Sequence, residues 1–439
     1  MGCGASRDSA RLAPGSVPLA VETAEQRAAE LAELRRLTPE QEAAAAKAAQ
    51  RIGEVAAAAE AAPEQERAAA TFAGGPNYGR EKWVFFGGGT IEPLVEHTPL
   101  IDLEYLVALA EGGGVMPCGR QNVPPAAFIT MRNLWRLKLW GKAKYKASLG
   151  VLVLSYPWLD WFHPDRLGAQ LHRLLPFLKA MLAEAKRDSP HCTVGVMIDF
   201  LCLPQKPFAT EEDGARFGVS LKAINAWYFH QWTYTLLVTT PPPEGADYSN
   251  TRLHRDRGWC FFEQAASMVV KHDSCLLDFG AYEGATEFGD YNNDGPGTCL
   301  GQMKAGRKPP IAPDAFGERM RARVASGELA FTANADMDFV IGQYEAGFVA
   351  AINRVAAEPE HARALWFINL GWGDAEAAEL RLALQYAAAK CAFPEGAVTV
   401  VTFGNPISEE ALATLPPCLW KGGDFTGERA VWEGKFFIE

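Results

Sequence analysis

Between residues 148 and 280, short apolar runs alternate with amphipathic stretches, and this alternation constrains the fold more than any other feature of the chain. Leu149-Gly150-Val151-Leu152-Val153-Leu154, Val194-Gly195-Val196-Met197-Ile198 and Tyr234-Thr235-Leu236-Leu237-Val238 have the length and composition of strands. Unbroken apolar runs of that length belong to strands buried on both faces. From about Pro164, Leu167, Leu171, Leu174, Leu178 and Met181 recur at helical spacing, with a kink expected at Pro176. Arg257-Gly258-Trp259-Cys260-Phe261-Phe262-Glu263 opens another helix. Strands alternating with helices predict an α/β domain with a parallel sheet covered on both faces. Ligands of such sheets bind beyond the carboxyl ends of the strands. Ser155, Trp158, Asp199 and Gln205 all fall at such ends.

Three stretches in this region, Leu154-Ser155-Tyr156-Pro157-Trp158, Ile198-Asp199-Phe200-Leu201-Cys202-Leu203-Pro204-Gln205 and Arg257-Gly258-Trp259-Cys260-Phe261-Phe262-Glu263, resemble in their order the pattern of heterokaryon-incompatibility (HET) domains. In that pattern a strand ends in Ser-Tyr-x-Trp, a later strand in Asp-x-x-Cys-x-x-Gln, and an Arg-x-Trp…Glu follows. Trp259-Cys260-x-x-Glu263 is also similar to the Trp-Cys-x-x-Glu helix of the related Toll/interleukin-receptor (TIR) domains. The resemblance implies a flavodoxin-like parallel sheet, with Glu263 as the catalytic residue of an NAD+ nucleosidase and Ser155, Trp158, Asp199, Gln205, Arg257 and Trp259 around the ligand. Arg257 stands where TIR domains have Ser, and Leu159 where HET domains have Gly. The segment Pro157–Pro164, with Trp158, Trp161, Phe162 and His163, has the bulk to fill the space a nucleotide would need.

The chemistry asked of Glu263 is simple. Breaking the N-glycosidic bond of NAD+ develops oxocarbenium character on the ribose, which one nearby carboxylate stabilises. Nicotinamide leaves from a cationic ring, so no strong general acid is needed. The competing reading is structural: Trp259 and Cys260 bury in the sheet interface while Glu263 pairs with Arg257 or a backbone N–H. The primary functional expectation is therefore a signalling or scaffold module, with NAD+ cleavage as the alternative; NAD+ enters only as a substrate, and no cofactor is assigned. His254, Cys260, His272 and Cys275 have gaps that match no standard zinc site, so no metal is expected. Cys202, in its Leu-Cys-Leu setting, reads as a buried, inert thiol rather than a nucleophile. His191 and His230 have no recognisable partner in the sequence.

The chain opens Met1-Gly2-Cys3-Gly4-Ala5-Ser6, which fits N-myristoylation at Gly2, with Cys3 as the adjoining palmitoylation site. Two acyl chains anchor stably where one does so only marginally. The expected location is the cytoplasmic side of a membrane, held peripherally through these acyl chains on the inner membrane surface. Residues 1–74 are then a lipidated N-terminus and an Ala/Glu-rich helical stalk with capping boxes at Thr23–Gln26 and Thr38–Gln41, whose thin apolar face predicts a solvated spacer. Residues 75–147 form a Gly/Pro-rich pre-domain, with a helix expected near Leu100–Ala110. Its basic stretch Met131–Lys146 holds Trp135, Trp140 and Tyr145. Contact with anionic headgroups is one reading of it, and a cationic face balancing an acidic body is the other. Neither Gly87-Gly88-Gly89 nor Gly112-Gly113-Gly114 is followed by Lys-Ser/Thr, so a phosphate-binding loop is not supported.

Residues 148–283 are the TIR/HET-like domain, 284–330 a turn-rich linker, and 331–439 a small α/β tail. In the tail a helix carries Met337, Ile341, Tyr344, Phe348, Ile352 and Val355 on one face. Two strand–loop–helix units follow, at Leu365–Ala388 and Val398–Leu415. The second unit, with Asn405 at its loop, resembles a ribonuclease-inhibitor-type leucine-rich repeat, although Asn369 and Thr402 occupy leucine slots. Protein partners are expected on this tail, with self-association as a further possibility for the core. With 42 Lys+Arg against 53 Asp+Glu, a net charge of −11 argues against a nucleic-acid partner. Nine scattered cysteines without a C-x-x-C read as reduced thiols, and no secretory signal opens the chain.

Overall fold

The computed structural model describes residues 33–416 except 35, 63–82, 85–86, 141–147, 207, 209, 245, 290–293, 305, 333–334, 358–362 and 392–397. Contacts divide the chain into two units, Met1–Arg36 and Leu37–Glu439, and the sheet and its helices belong to the second. Gly2, Cys3 and the capping box at Thr23 lie outside the described residues.

The second capping box forms as its sequence predicts. Thr38 and Gln41 exchange side-chain-to-backbone hydrogen bonds, Pro39 takes the first turn, and helix α1 runs Pro39–Ala61. It is not a solvated spacer, however. Ala44, Ala48, Ile52 and Ala59 are buried. The small alanine side chains let α1 approach closely enough for Ala44 to meet Gly112, just past a helix it packs against. Helix α2 spans Gly88–His97. Leu100–Asp102 is strand β1 rather than the start of a helix, and Asp102 then caps α3, Leu103–Glu111, the helix under α1. β2 is Phe128–Ile129; β3, Leu139–Trp140, pairs with β4, Ser148–Leu149. The described part of the basic stretch, up to Trp140, is partly interior: Arg136, Lys138 and Trp140 are buried. Arg136 Nη1 donates to Asp102 Oδ2 at 2.7 Å, and Lys138 pairs with Asp188.

The alternating core comes next along the chain. β5 (Val151–Ser155) leads through α4 (Ala169–Lys186) to β6 (Gly195–Met197). Short α5 (Asp199–Cys202) and long α6 (Glu211–Tyr228) lead to β7 (Tyr234–Leu237), and α7 (Gly258–Val270) leads to β8 (Leu276–Asp278). The six-stranded sheet has the order β2-β1-β6-β5-β7-β8. β6, β5, β7 and β8 are parallel, with Leu152 opposite Val196 and Tyr234, while β1 runs antiparallel to both β6 and β2. Every residue of β5 is buried, as its apolar run requires. The chain leaves β5 toward β6 on one side and returns past it to β7 on the other. Right-handed crossovers therefore put α4 on one face and α6 and α7 on the other. The packing agrees: α4 lies on α3, and α6 lies on α7.

The stretch 284–330 is no free linker. It carries α8 (Cys299–Met303) and α9 (Pro313–Ala325), with Cys299, Met303, Phe316 and Met320 buried. α10, Asp336–Ala357, packs on α6, α7 and α9 through Val340, Tyr344, Phe348 and Ile352. The tail then forms β9 (Ala364–Trp366), α11 (Asp374–Lys390), β10 (Thr399–Val401) and α12 (Glu409–Ala413), with β9 and β10 parallel in a two-stranded sheet of their own. Among the described residues no helix is long and apolar enough to cross a membrane.

Candidate functional site

Because the core strands are parallel, their carboxyl ends open toward one rim, and the strand-end residues gather there. Ser155 closes β5, Asp199 opens α5 just after β6, and Glu263 lies in the second turn of α7. The point where the chain reverses direction across the sheet, between β5 and β7, is where α/β folds form crevices.

Ser155 is wholly buried, and its Oγ is the middle atom of a row. It lies 2.7 Å from Glu263 Oε2, to which it donates, and 2.7 Å from His254 Nε2. A hydroxyl has one proton to give, so it donates to one neighbour and accepts from the other. With Glu263 accepting, His254 carries its proton on Nε2. His254 sits on the turn His254–Asp256 that precedes α7. Tyr228, the last residue of α6, stands beside the glutamate and donates from Oη to Leu154 O at 2.9 Å.

Burial dominates the electrostatics. It pushes the Glu263 carboxyl up to about 8, with the Ser155 hydrogen bond and the nearby Tyr228 hydroxyl opposing the rise and the Asp199 charge adding to it. Asp199 is raised to about 6 by burial, against hydrogen bonds from the Phe200 N–H and the Trp158 side chain. His254 is lowered to about 4 by burial and by Arg257, so it is neutral at physiological pH. Among the described residues no cation pairs with Glu263.

A strap, Pro157–Pro164, lies at this cluster. Its turn is closed by Leu159 N to Pro164 O at 3.0 Å and Asp160 N to His163 O at 3.2 Å. Trp158 meets Phe200 edge-on at 5.1 Å. Arg257 does not reach Glu263. Its guanidinium clamps three backbone carbonyls instead, those of Trp158, Arg252 (2.9 Å) and Asn250 (3.0 Å), and so fastens the strap to the loop ahead of α7.

Of the residues singled out from sequence, Ser155, Trp158, Asp199 and Glu263 come together, and Arg257 acts on them through the backbone. Gln205 bonds the carbonyls of Leu203 and Asp199 at 3.1 and 3.5 Å without entering the row. Trp259 turns to α10, donating to Asp336 Oδ2 at 3.0 Å. Two cluster members, His254 and Tyr228, carry no sequence signal for this role. His254 is legible only as a poor zinc ligand, and Tyr228 reaches the site because of where α6 ends. Among the described residues no group of three or more His, Cys, Asp or Glu side chains is arranged to hold a metal. Burial pushes the Cys202 thiol up to about 12 and the Cys260 thiol well above its usual value, which leaves both unreactive. His230 is buried against Thr90 Oγ1 at 2.7 Å. A groove of about 400 Å³ lies on a different face of α7, lined by Phe261, Ala265, Met268, Ile311, Lys308 and Glu376.

Comparisons with family models, with curated proteins and with solved structures return no match for this chain.

Proposed function

We propose that the chain is a lipid-anchored, cytosol-facing signalling or scaffold protein that acts by protein contacts through a TIR/HET-like core. The observation that carries this reading is the saturation of the rim. Ser155 is bonded to both His254 and Glu263, Tyr228 gives its proton to the Leu154 carbonyl, the Arg257-fastened strap lies beside them, and the Glu263 carboxyl holds its proton at neutral pH. At pH 7 a carboxyl of this kind is protonated by roughly ten to one. A protonated carboxyl gives little stabilisation to an oxocarbenium ion. The order β6-β5-β7-β8 supports a flavodoxin-like core, since it reproduces the first four places of the order 2-1-3-4-5.

The tail supports a partner-binding role. Asn405 Oδ1 accepts from the Leu370 and Trp372 amides at 2.8 and 3.2 Å, while its Nδ2 donates to the Phe367 and Thr402 carbonyls at 2.6 and 2.9 Å. One side chain thus ties the loop of its own unit to the loop of the preceding one, as expected of stacked repeats.

A second reading, NAD+ nucleosidase, is favoured by the place of Glu263: at the switch point of the sheet, beside a second perturbed carboxyl, and, among the described residues, without a cation to neutralise it. Incubating the full chain with NAD+ separates the two. The scaffold reading expects no nicotinamide above background, and release that disappears with Glu263→Gln establishes the enzyme. The anchoring reading has its own test: Gly2→Ala is expected to move the protein from the membrane pellet to the soluble fraction, and an unchanged pellet contradicts it.

A further inference from the structure

The strap runs into a second knot of buried polar groups, which the row around Ser155 does not use. Tyr156, Asp165, Gln170 and Tyr248 are each more than nine-tenths buried, at 6%, 0%, 3% and 7% exposure. Two of them are partly engaged: Asp165 Oδ2 accepts from Leu171 N at 2.8 Å in the first turn of α4, and Gln170 Nε2 donates to Pro157 O at 3.1 Å. Each of the four keeps one buried polar atom with no hydrogen-bond partner among the described residues: Tyr156 Oη, Asp165 Oδ1, Gln170 Oε1 and Tyr248 Oη. The four are neighbours. Tyr156 and Asp165 face each other at the edge of hydrogen-bonding range, the ring of Tyr248 lies 5.6 Å from the guanidinium of Arg166, the residue after Asp165, and Gln170 reaches the knot through Pro157, the residue after Tyr156.

Their remaining capacities are complementary to one small molecule. The two hydroxyls each have a proton to donate, whereas the carboxylate oxygen and the amide oxygen can only accept. A partner with two donors and two acceptors satisfies all four, and water has that inventory. Buried waters typically make about three such bonds to groups the protein leaves unpaired. We propose that a single buried water molecule bridges Tyr156, Asp165, Gln170 and Tyr248. It joins the end of β5, the end of the strap, the start of α4 and the 247–250 loop. That loop already holds the strap through Ser249 N to Asp160 Oδ1 at 2.9 Å and through the Asn250 carbonyl clamped by Arg257. The water is thus the inner tie of the strap, and Arg257 is the outer one.

A hard cation is the competing occupant, and geometry distinguishes it. A crystal structure of the full chain is expected to show one density peak at about 2.7–3.1 Å from at least three of the four atoms. No peak overturns the proposal, and so does a peak with six or more oxygen ligands at about 2.3–2.6 Å, which marks a cation. Thermal melts of Tyr248→Phe and Tyr156→Phe test the same point in solution. Deleting a hydroxyl that bonds a buried water strands that water's other partners, whereas deleting an idle buried hydroxyl relieves a desolvation penalty. Each variant is therefore expected to lower Tm by roughly 2–4 °C. Melting at or above the wild-type temperature in both variants contradicts the bridge.

Discussion

Glu263, half-buried, and Arg136, fully buried, are both polar groups drawn away from solvent, but they are handled differently, and each yields a prediction. Glu263 is made comfortable as an acid. Because its carboxyl is raised from 4.5 to about 8, the folded chain binds this proton more tightly than the unfolded one. Its contribution to stability is complete below the lower value and is lost as pH rises to the upper one. Burial lowers His254, which acts in the opposite sense below about pH 6.5, so the comparison must be made against a variant. Glu263→Gln keeps the shape and removes the titration. Denaturation across about pH 5 to 8.5 is expected to show the variant gaining on the wild type, by about 1–3 kcal/mol at the upper end. Parallel curves would mean that the carboxyl is solvated. Arg136, in contrast, is paired with Asp102, which also accepts from Thr193 Oγ1 and the Glu104 amide. Asp102→Asn leaves a guanidinium buried without its counter-charge. It is expected to lose about 3–5 kcal/mol in urea denaturation, and a loss below about 1 kcal/mol contradicts the assignment of this pair as a structural centre.

At the scale of elements, legibility follows the strength of the apolar signal. β5, β6 and β7 are readable because burial on both faces leaves an unbroken apolar run. β1 is not, because Leu100-Ile101-Asp102 continues into Leu103-Glu104-Tyr105-Leu106 with no break in hydrophobicity, and the boundary is set by Asp102 capping α3. α1 reads as exposed because its packing face is alanine, which buries little area per residue but allows close approach. α6 carries a weak apolar face, and its place is set by packing against α2, α7 and α10. The same distinction divides the site: Ser155, Asp199 and Glu263 follow strand-end or helix-start patterns, whereas His254 and Tyr228 are brought in by tertiary placement alone. In the tail, the loops after β9 and β10 depend on one amide. Asn405→Ala removes four hydrogen bonds to buried or half-buried backbone groups and is expected to destabilise the β9–α11–β10 unit by about 2–4 kcal/mol. The measurement is amide exchange at Leu370 and Trp372, which rises if the bonds matter and stays at the wild-type rate if they do not.

Across the whole molecule, elements far apart in sequence are interlocked. α1 covers α3, β1 and β2 extend the parallel core, and Arg307, in the stretch between core and tail, donates to the Met268 and Val269 carbonyls at the end of α7 and to Trp366 O in β9. Arg307 thus ties the tail strand β9 to the helix that carries Glu263. The proposed scaffold role requires the half-buried Glu263 carboxyl to stay bonded to Ser155 beside the strap rather than open to a ligand. Side-chain carbon NMR of glutamate-labelled protein, with Glu263→Gln identifying the resonance, measures this directly. A midpoint near 8 is the expected result. A midpoint in the ordinary carboxylate range, about 4–5, would show an open, ionised glutamate and contradict the closed site.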